Sequence, residues 1–138
     1  AFVSGFGYRG DMAVASTVAH DSHHMIVVGT CHKNMALAAN RLAKVGGGVT
    51  VWKDGEELAL VELPIAGLMS DAPASTVAAK AEHMVQAMVE CGCSLNNAYM
   101  QHSLLALVVI PELRISDLGL VDVKKFEITN VLRGIEER

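Results

Sequence analysis

Val49-Thr50-Val51-Trp52 and Leu58 to Leu63 are two apolar, strand-like runs separated by Lys53-Asp54-Gly55-Glu56. An Asp-Gly pair between such runs is the strongest short-range signal for a β-hairpin, because both residues tolerate the positive φ that a tight two-residue turn requires. A hairpin pairs its arms antiparallel, which sets this chain apart from folds built only of parallel strands and crossovers. Pro64 closes the second arm.

Two helical stripes flank this hairpin. Met35, Ala38, Ala39, Leu42 and Val45 recur at helical spacing and predict a helix over 33–45, ended by Gly46-Gly47-Gly48. Val77, Ala81, Met84, Val85 and Met88 predict a second helix near 73–91, with Ser70 or Asp71 as its cap, Pro73 near its first turn and Cys91-Gly92 as its stop. Ala1–Gly7 and Met12–His20 read as strands joined by Tyr8-Arg9-Gly10-Asp11, and Met25–Gly29 as a strand buried on both faces. Met100–Ile110 fits either a buried strand or a short helix. Arg114-Ile115-Ser116 reads as a strand, Asp117-Leu118-Gly119 as a turn and Val121–Ile128 as a last extended piece. No linker or repeat interrupts the series. The expectation is one α+β domain over residues 1–138, two-layered, with a mainly antiparallel sheet covered by two principal helices.

With 138 residues, 51% of them hydrophobic, the chain can bury a real core. A net charge of -4, with no basic patch, argues against a nucleic-acid surface. The longest apolar run, Leu104–Ile110, is seven residues, far short of the ~20 that span a bilayer, so no membrane association is expected. No basic n-region precedes an apolar leader core. Three cysteines, with Cys91 and Cys93 too close for an ordinary disulfide, point to a reducing cytoplasm. The opening Ala1-Phe2-Val3 without an initiator Met suggests a piece of a longer chain or a trimmed version of one.

The segment richest in chemistry is His20-Asp21-Ser22-His23-His24, five polar side chains between two apolar runs. Imidazoles, a carboxylate and a hydroxyl offer proton transfer, metal ligation or polar recognition; a solvated loop is the plain alternative. Other motifs weigh less. Gly5-Phe6-Gly7-Tyr8-Arg9-Gly10 has the spacing of a dinucleotide fingerprint, but a strand rather than a helix follows it. Arg9-Gly10-Asp11 has no extracellular partner in a cytoplasmic protein. His20-x-x-His23 and Cys91-x-Cys93 lack a convincing second pair for zinc. No G-x-S-x-G, H-E-x-x-H or H-x-H occurs, and Ser22 between His20 and His23 is a weak mimic of a Ser–His pair.

Several longer segments, in order, carry a resemblance: Val14-Ala15-Ser16-Thr17-Val18-Ala19-His20-Asp21-Ser22-His23, Ile26-Val27-Val28-Gly29-Thr30, Met35 to Leu42, Gly46 to Val51, Leu63-Pro64-Ile65-Ala66-Gly67-Leu68-Met69-Ser70-Asp71 and Val109 to Arg114. Together they resemble the C-terminal domain of bacterial-type adenine deaminase, of the amidohydrolase superfamily, over residues 2–126. His24 and Cys31-His32 stand where the family pattern has Asn and more acidic residues. The resemblance implies purine salvage, with adenine and water giving hypoxanthine and ammonia at a binuclear manganese or iron centre in a (β/α)8 barrel. None of that centre's ligand motifs is present, and a barrel needs about 250 residues. The resemblance therefore implies that this chain holds no catalytic residue and no metal ligand of its own. Its partner is a metal-dependent barrel, in cis or in trans, and a homo-oligomer is also expected. His20, Asp21, Ser22 and His23 are the expected active-site-facing residues. A free-standing small-ligand-binding module, or a structural or oligomerisation domain, is the alternative.

Overall fold

The structure, a computed structural model, describes residues 1–131. Its larger sheet has four strands: β1 (Met12–Ser16), β2 (Ile26–Gly29), β3 (Gly48–Lys53) and β4 (Glu56–Glu62), in the order β2-β1-β3-β4 and antiparallel throughout. The β3–β4 hairpin turns on Asp54 (φ 52°) and Gly55 (φ 88°), the two positive φ values its sequence demands. The helices are α1 (His32–Val45), α2 (Ala74–Glu90) and the short α3 (Ala98–Leu104). A smaller antiparallel meander follows, of β5 (Leu113–Ser116), β6 (Gly119–Asp122) and β7 (Glu127–Thr129). The α+β reading, with antiparallel sheets and helices packed upon them, holds.

Side chains alternate across a strand, and the two principal helices use opposite faces of the four-stranded sheet. Ala38 and Leu42 of α1 pack with Ala13, Ala15, Trp52 and Leu60. Met84, Ala87 and Met88 of α2 pack with Met12, Val14, Val51 and Val61. Each fully buried Leu or Met is worth about 1.5–3 kcal/mol of transfer free energy, so these two stripes supply much of the stabilisation. Every residue of β1 is buried, which explains why it reads as almost uniformly apolar.

Asn34 of α1, only 2% exposed, ties the far end together. Its Nδ2 donates to the Asp11 carbonyl (2.7 Å) and its Oδ1 accepts from the Gly55 amide (3.1 Å).

Four local expectations are corrected. Ala1–Gly7 forms no strand, because Gly5 (φ 94°) and Gly7 (φ 81°) turn the backbone while Phe6 plugs the core. The strand expected over Met25–Gly29 as buried on both faces starts at Ile26 and lies at the sheet edge, with Ile26 buried and Val27 and Val28 only partly covered, by α1 and by Ala106. Pro73, not Ser70 or Asp71, occupies the cap position of α2, and Ser70 Oγ instead accepts the Ala72 amide in a tight turn (3.2 Å). Val121–Ile128 is divided between β6 and β7 by a turn in which Phe126 has positive φ (57°).

Candidate functional site

β1 ends at Ser16, and Thr17 leaves the sheet with its side chain fully committed. Thr17 Oγ1 donates to the Gly67 carbonyl (2.6 Å) and accepts the Gly48 amide (2.8 Å). Ala19, completely buried, and Ile26 then anchor a shared cluster with Ala106. The residues between these anchors, 20–25, form the β1–β2 connection at one end of the sheet.

Within it, the His23 amide donates to the Ala19 carbonyl (2.7 Å), with His23 at φ 50°. The His20 amide donates to Ser103 Oγ on α3 (3.4 Å). His20 Nδ1 lies 3.6 Å from Asp21 Oδ1, and the His20 and His23 rings stand 5.7 Å apart between centroids. The Asp21 side chain is 84% exposed and that of His20 33%. His20, Asp21 and His23 are thus brought together and presented outward. Ser22 takes no part in those contacts; with His24, Ala106, Val108, Asp117 and Phe126 it borders a shallow groove of about 320 Å³ beside the small sheet.

Such an arrangement can donate and accept hydrogen bonds toward something placed against it, with the carboxylate orienting one imidazole. Near as these side chains are, they form no metal centre: among the described residues no group of three or more His, Cys, Asp or Glu is arranged to hold a metal ion. Cys31, Cys91 and Cys93 are free thiols, and burial pushes the Cys91 thiol above its ordinary range, away from the thiolate a metal or a nucleophile requires. The glycine-rich Gly5–Gly10 segment opens no helix, so it lacks the feature that would receive a pyrophosphate.

Sequence reasoning missed one cluster. Tyr8 Oη and His102 Nε2 are 3.0 Å apart, and Phe6 lies against the His102 ring with centroids 4.5 Å apart. His102 is 1% exposed, and burial pushes it down to about 4. Burial first, then the neighbouring Cys93 and Cys91, hold the Tyr8 phenol well above its usual value. Both groups are therefore neutral near pH 7, a structural pair rather than an acid–base couple. No local signal marks a contact across 94 residues.

The family described as the adenine deaminase C-terminal domain matches residues 1–127. An adenine deaminase of Ruegeria pomeroyi is 79% identical over 98% of this chain, and one of Paracoccus denitrificans is 73% identical over 95%. A more distant adenine deaminase, from Moorella thermoacetica, is 50% identical over 96%. In each case the chain spans 22% of the relative's length.

Proposed function

The chain belongs to the adenine deaminase C-terminal domain family, and from that premise we propose that it serves as a single domain, residues 1–138, completing an adenine deaminase. The observation that carries this reading is the 79% identity to a protein of that name over nearly the whole chain but only 22% of that protein. The remaining length of the relatives leaves room for a catalytic domain in cis. We assign the reaction, adenine and water giving hypoxanthine and ammonia, to a metal-dependent (β/α)8 barrel there, with manganese or iron as its metal. No residue set in the described part of this chain fits that metal, so no step is assigned to it here.

What this chain contributes is the rim of His20, Asp21, Ser22 and His23, facing the mouth of the barrel's active site. The tether of Thr17 to Gly48 and Gly67, and that of His20 to Ser103, supports this reading, because a loop so held delivers its side chains in a fixed place. One histidine would hydrogen-bond a purine nitrogen or a side chain that itself touches the metal, and Asp21 would orient it. Among the described residues no helix is long and apolar enough to cross a membrane. The three free thiols support a cytoplasmic setting, and a homo-oligomer of the complete enzyme fits the same reading.

The purified chain alone is expected to bind no stoichiometric manganese, iron or zinc and to release no ammonia from adenine. Metal analysis and an ammonia-release assay read this directly. Adenine turnover that survives removal of trace contaminating enzyme would refute the assignment of catalysis to a separate barrel.

A further inference from the structure

Leu63-Pro64-Ile65-Ala66-Gly67-Leu68-Met69-Ser70 follows β4, and none of its residues is charged. It is built with more care than a solvent loop requires. Ile65 and Met69 form a bridge, with the Ile65 amide donating to the Met69 carbonyl and the Leu68 and Met69 amides both donating to the Ile65 carbonyl, each at 3.1 Å. Thr17 Oγ1 pins its apex through the Gly67 carbonyl. Gly47 packs so closely beneath that a Cβ there would stand 2.5 Å from Gly67 Cα. Ala66 is held at φ 57°, a conformation that costs an L-residue free energy and persists only where the surroundings impose it.

The side chains this loop displays are only partly covered by the rest of the chain. Ile65 is 45% exposed, Leu68 36% and Met69 59%. Clustered exposed apolar side chains on an imposed backbone mark a contact surface. Its position narrows the choice of partner. The loop leaves the C-terminal end of β4, and in the antiparallel sheet this is the end where β1 finishes and β2 begins. Thr17, three residues before His20, bonds directly to the loop, so the apolar loop and the His20–His23 connection share one rim.

We propose that Ile65, Leu68 and Met69 are the apolar anchors by which this rim docks on the catalytic barrel of the complete enzyme. This rests on the reading that the barrel faces the His20–His23 connection. Three observations favour that occupant: the loop adjoins the connection, it carries no charge and so suits an uncharged apolar surface, and all but 22% of the relative's length lies outside the part this chain covers. The anchors fix orientation, and the histidines beside them are thereby delivered to the site.

The test places a photo-crosslinking residue in a full-length enzyme carrying this domain, Met69→p-benzoylphenylalanine, using a mixture of isotopically heavy and light protein. A control probe replaces the exposed Glu56, at the opposite end of the β3–β4 hairpin. The expected result is capture of barrel residues within the same copy, at least tenfold above the control. Capture between heavy and light copies, which would make a second copy the occupant, or capture no better than the control, overturns the proposal. A third probe at Asp21 separates it from the functional reading. Capture from Asp21 but not Met69 overturns the docking inference alone, and capture from Met69 but not Asp21 overturns only the role of the histidine rim. Should the probe prevent folding, peroxide oxidation of the native Met69 thioether gives the same answer. At least tenfold slower oxidation than a free methionine amide, independent of protein concentration, supports the proposal; unslowed oxidation, or protection that grows with concentration, overturns it.

Discussion

Gly48→Ala is expected to destabilise the chain by about 3–5 kcal/mol, enough to threaten folding at ordinary temperatures. Gly48 opens β3 opposite Glu62, with φ at 143°, a region that residues with a Cβ rarely enter. A conformation of that kind costs about 1–3 kcal/mol by itself. The added methyl would also stand 2.1 Å from the Val61 carbonyl oxygen, a backbone atom of the β3–β4 ladder that has no free direction in which to move. The Gly48 amide and carbonyl, moreover, serve Thr17, so a shift there loosens the rim that carries the histidines. Gly55→Ala is the control: its φ is 88° and nothing lies within 4 Å of the new methyl, so backbone strain acts alone, at about 1 kcal/mol. Denaturant midpoints for the two variants read the difference, and equal losses would contradict the close-packing argument.

Acidification from pH 6.5 to pH 4 is expected to remove about 3 kcal/mol of stability through His102. The folded protein keeps this imidazole neutral until about pH 4, because burial disfavours the cation, whereas in the unfolded chain it takes up a proton near pH 6.5. Between those values the unfolded state binds more protons, so stability falls as pH falls; above pH 6.5 the contribution is fully present and below pH 4 the loss stops growing. Burial at 1% exposure leaves solvent little chance to screen this effect. His102→Gln, which keeps a polar group near Tyr8 Oη, is expected to be less stable overall but to lose this slope. A wild-type stability that stays level from pH 6.5 to 4 would show that His102 is not desolvated.

The parts of the fold that local physics decides were readable in advance. Asp54-Gly55 could scarcely be anything but a tight hairpin turn, and both residues have positive φ. Met35, Ala38, Leu42 and Val45 could face one way only on a helix, and Gly46 ends α1 in the left-handed conformation (φ 85°). What failed was the step from apolar to buried on both faces. Met25-Ile26-Val27-Val28 is apolar because α1 covers Val27 while Ala19 and Ala106 cover Val28, yet the strand lies at the sheet edge. Ala1–Gly7 read as a strand, but its glycines turn and Phe6 is used as a plug.

The site divides in the same way. A cluster of polar side chains at His20–His24 was visible because composition is local, as was Leu63–Asp71, though only as a segment of the family resemblance. That Thr17 joins the two across 50 residues was not, since a single hydroxyl shared by two backbone segments leaves no periodic trace. The pairing of Tyr8 with His102 was hidden for the same reason.

The claim at the centre of this account is that His20 and His23 face the site where adenine is deaminated. The measurement that tests it is kcat/KM for adenine in a full-length enzyme carrying this domain, before and after the joint substitutions His20→Ala and His23→Ala. Neither side chain is buried in the core, so folding should survive, as thermal unfolding of the variant can verify. The account predicts a fall of at least about tenfold, some 1.4 kcal/mol of lost transition-state stabilisation. A value within about twofold of the parent, under 0.5 kcal/mol, would make the connection a solvent loop and contradict the claim.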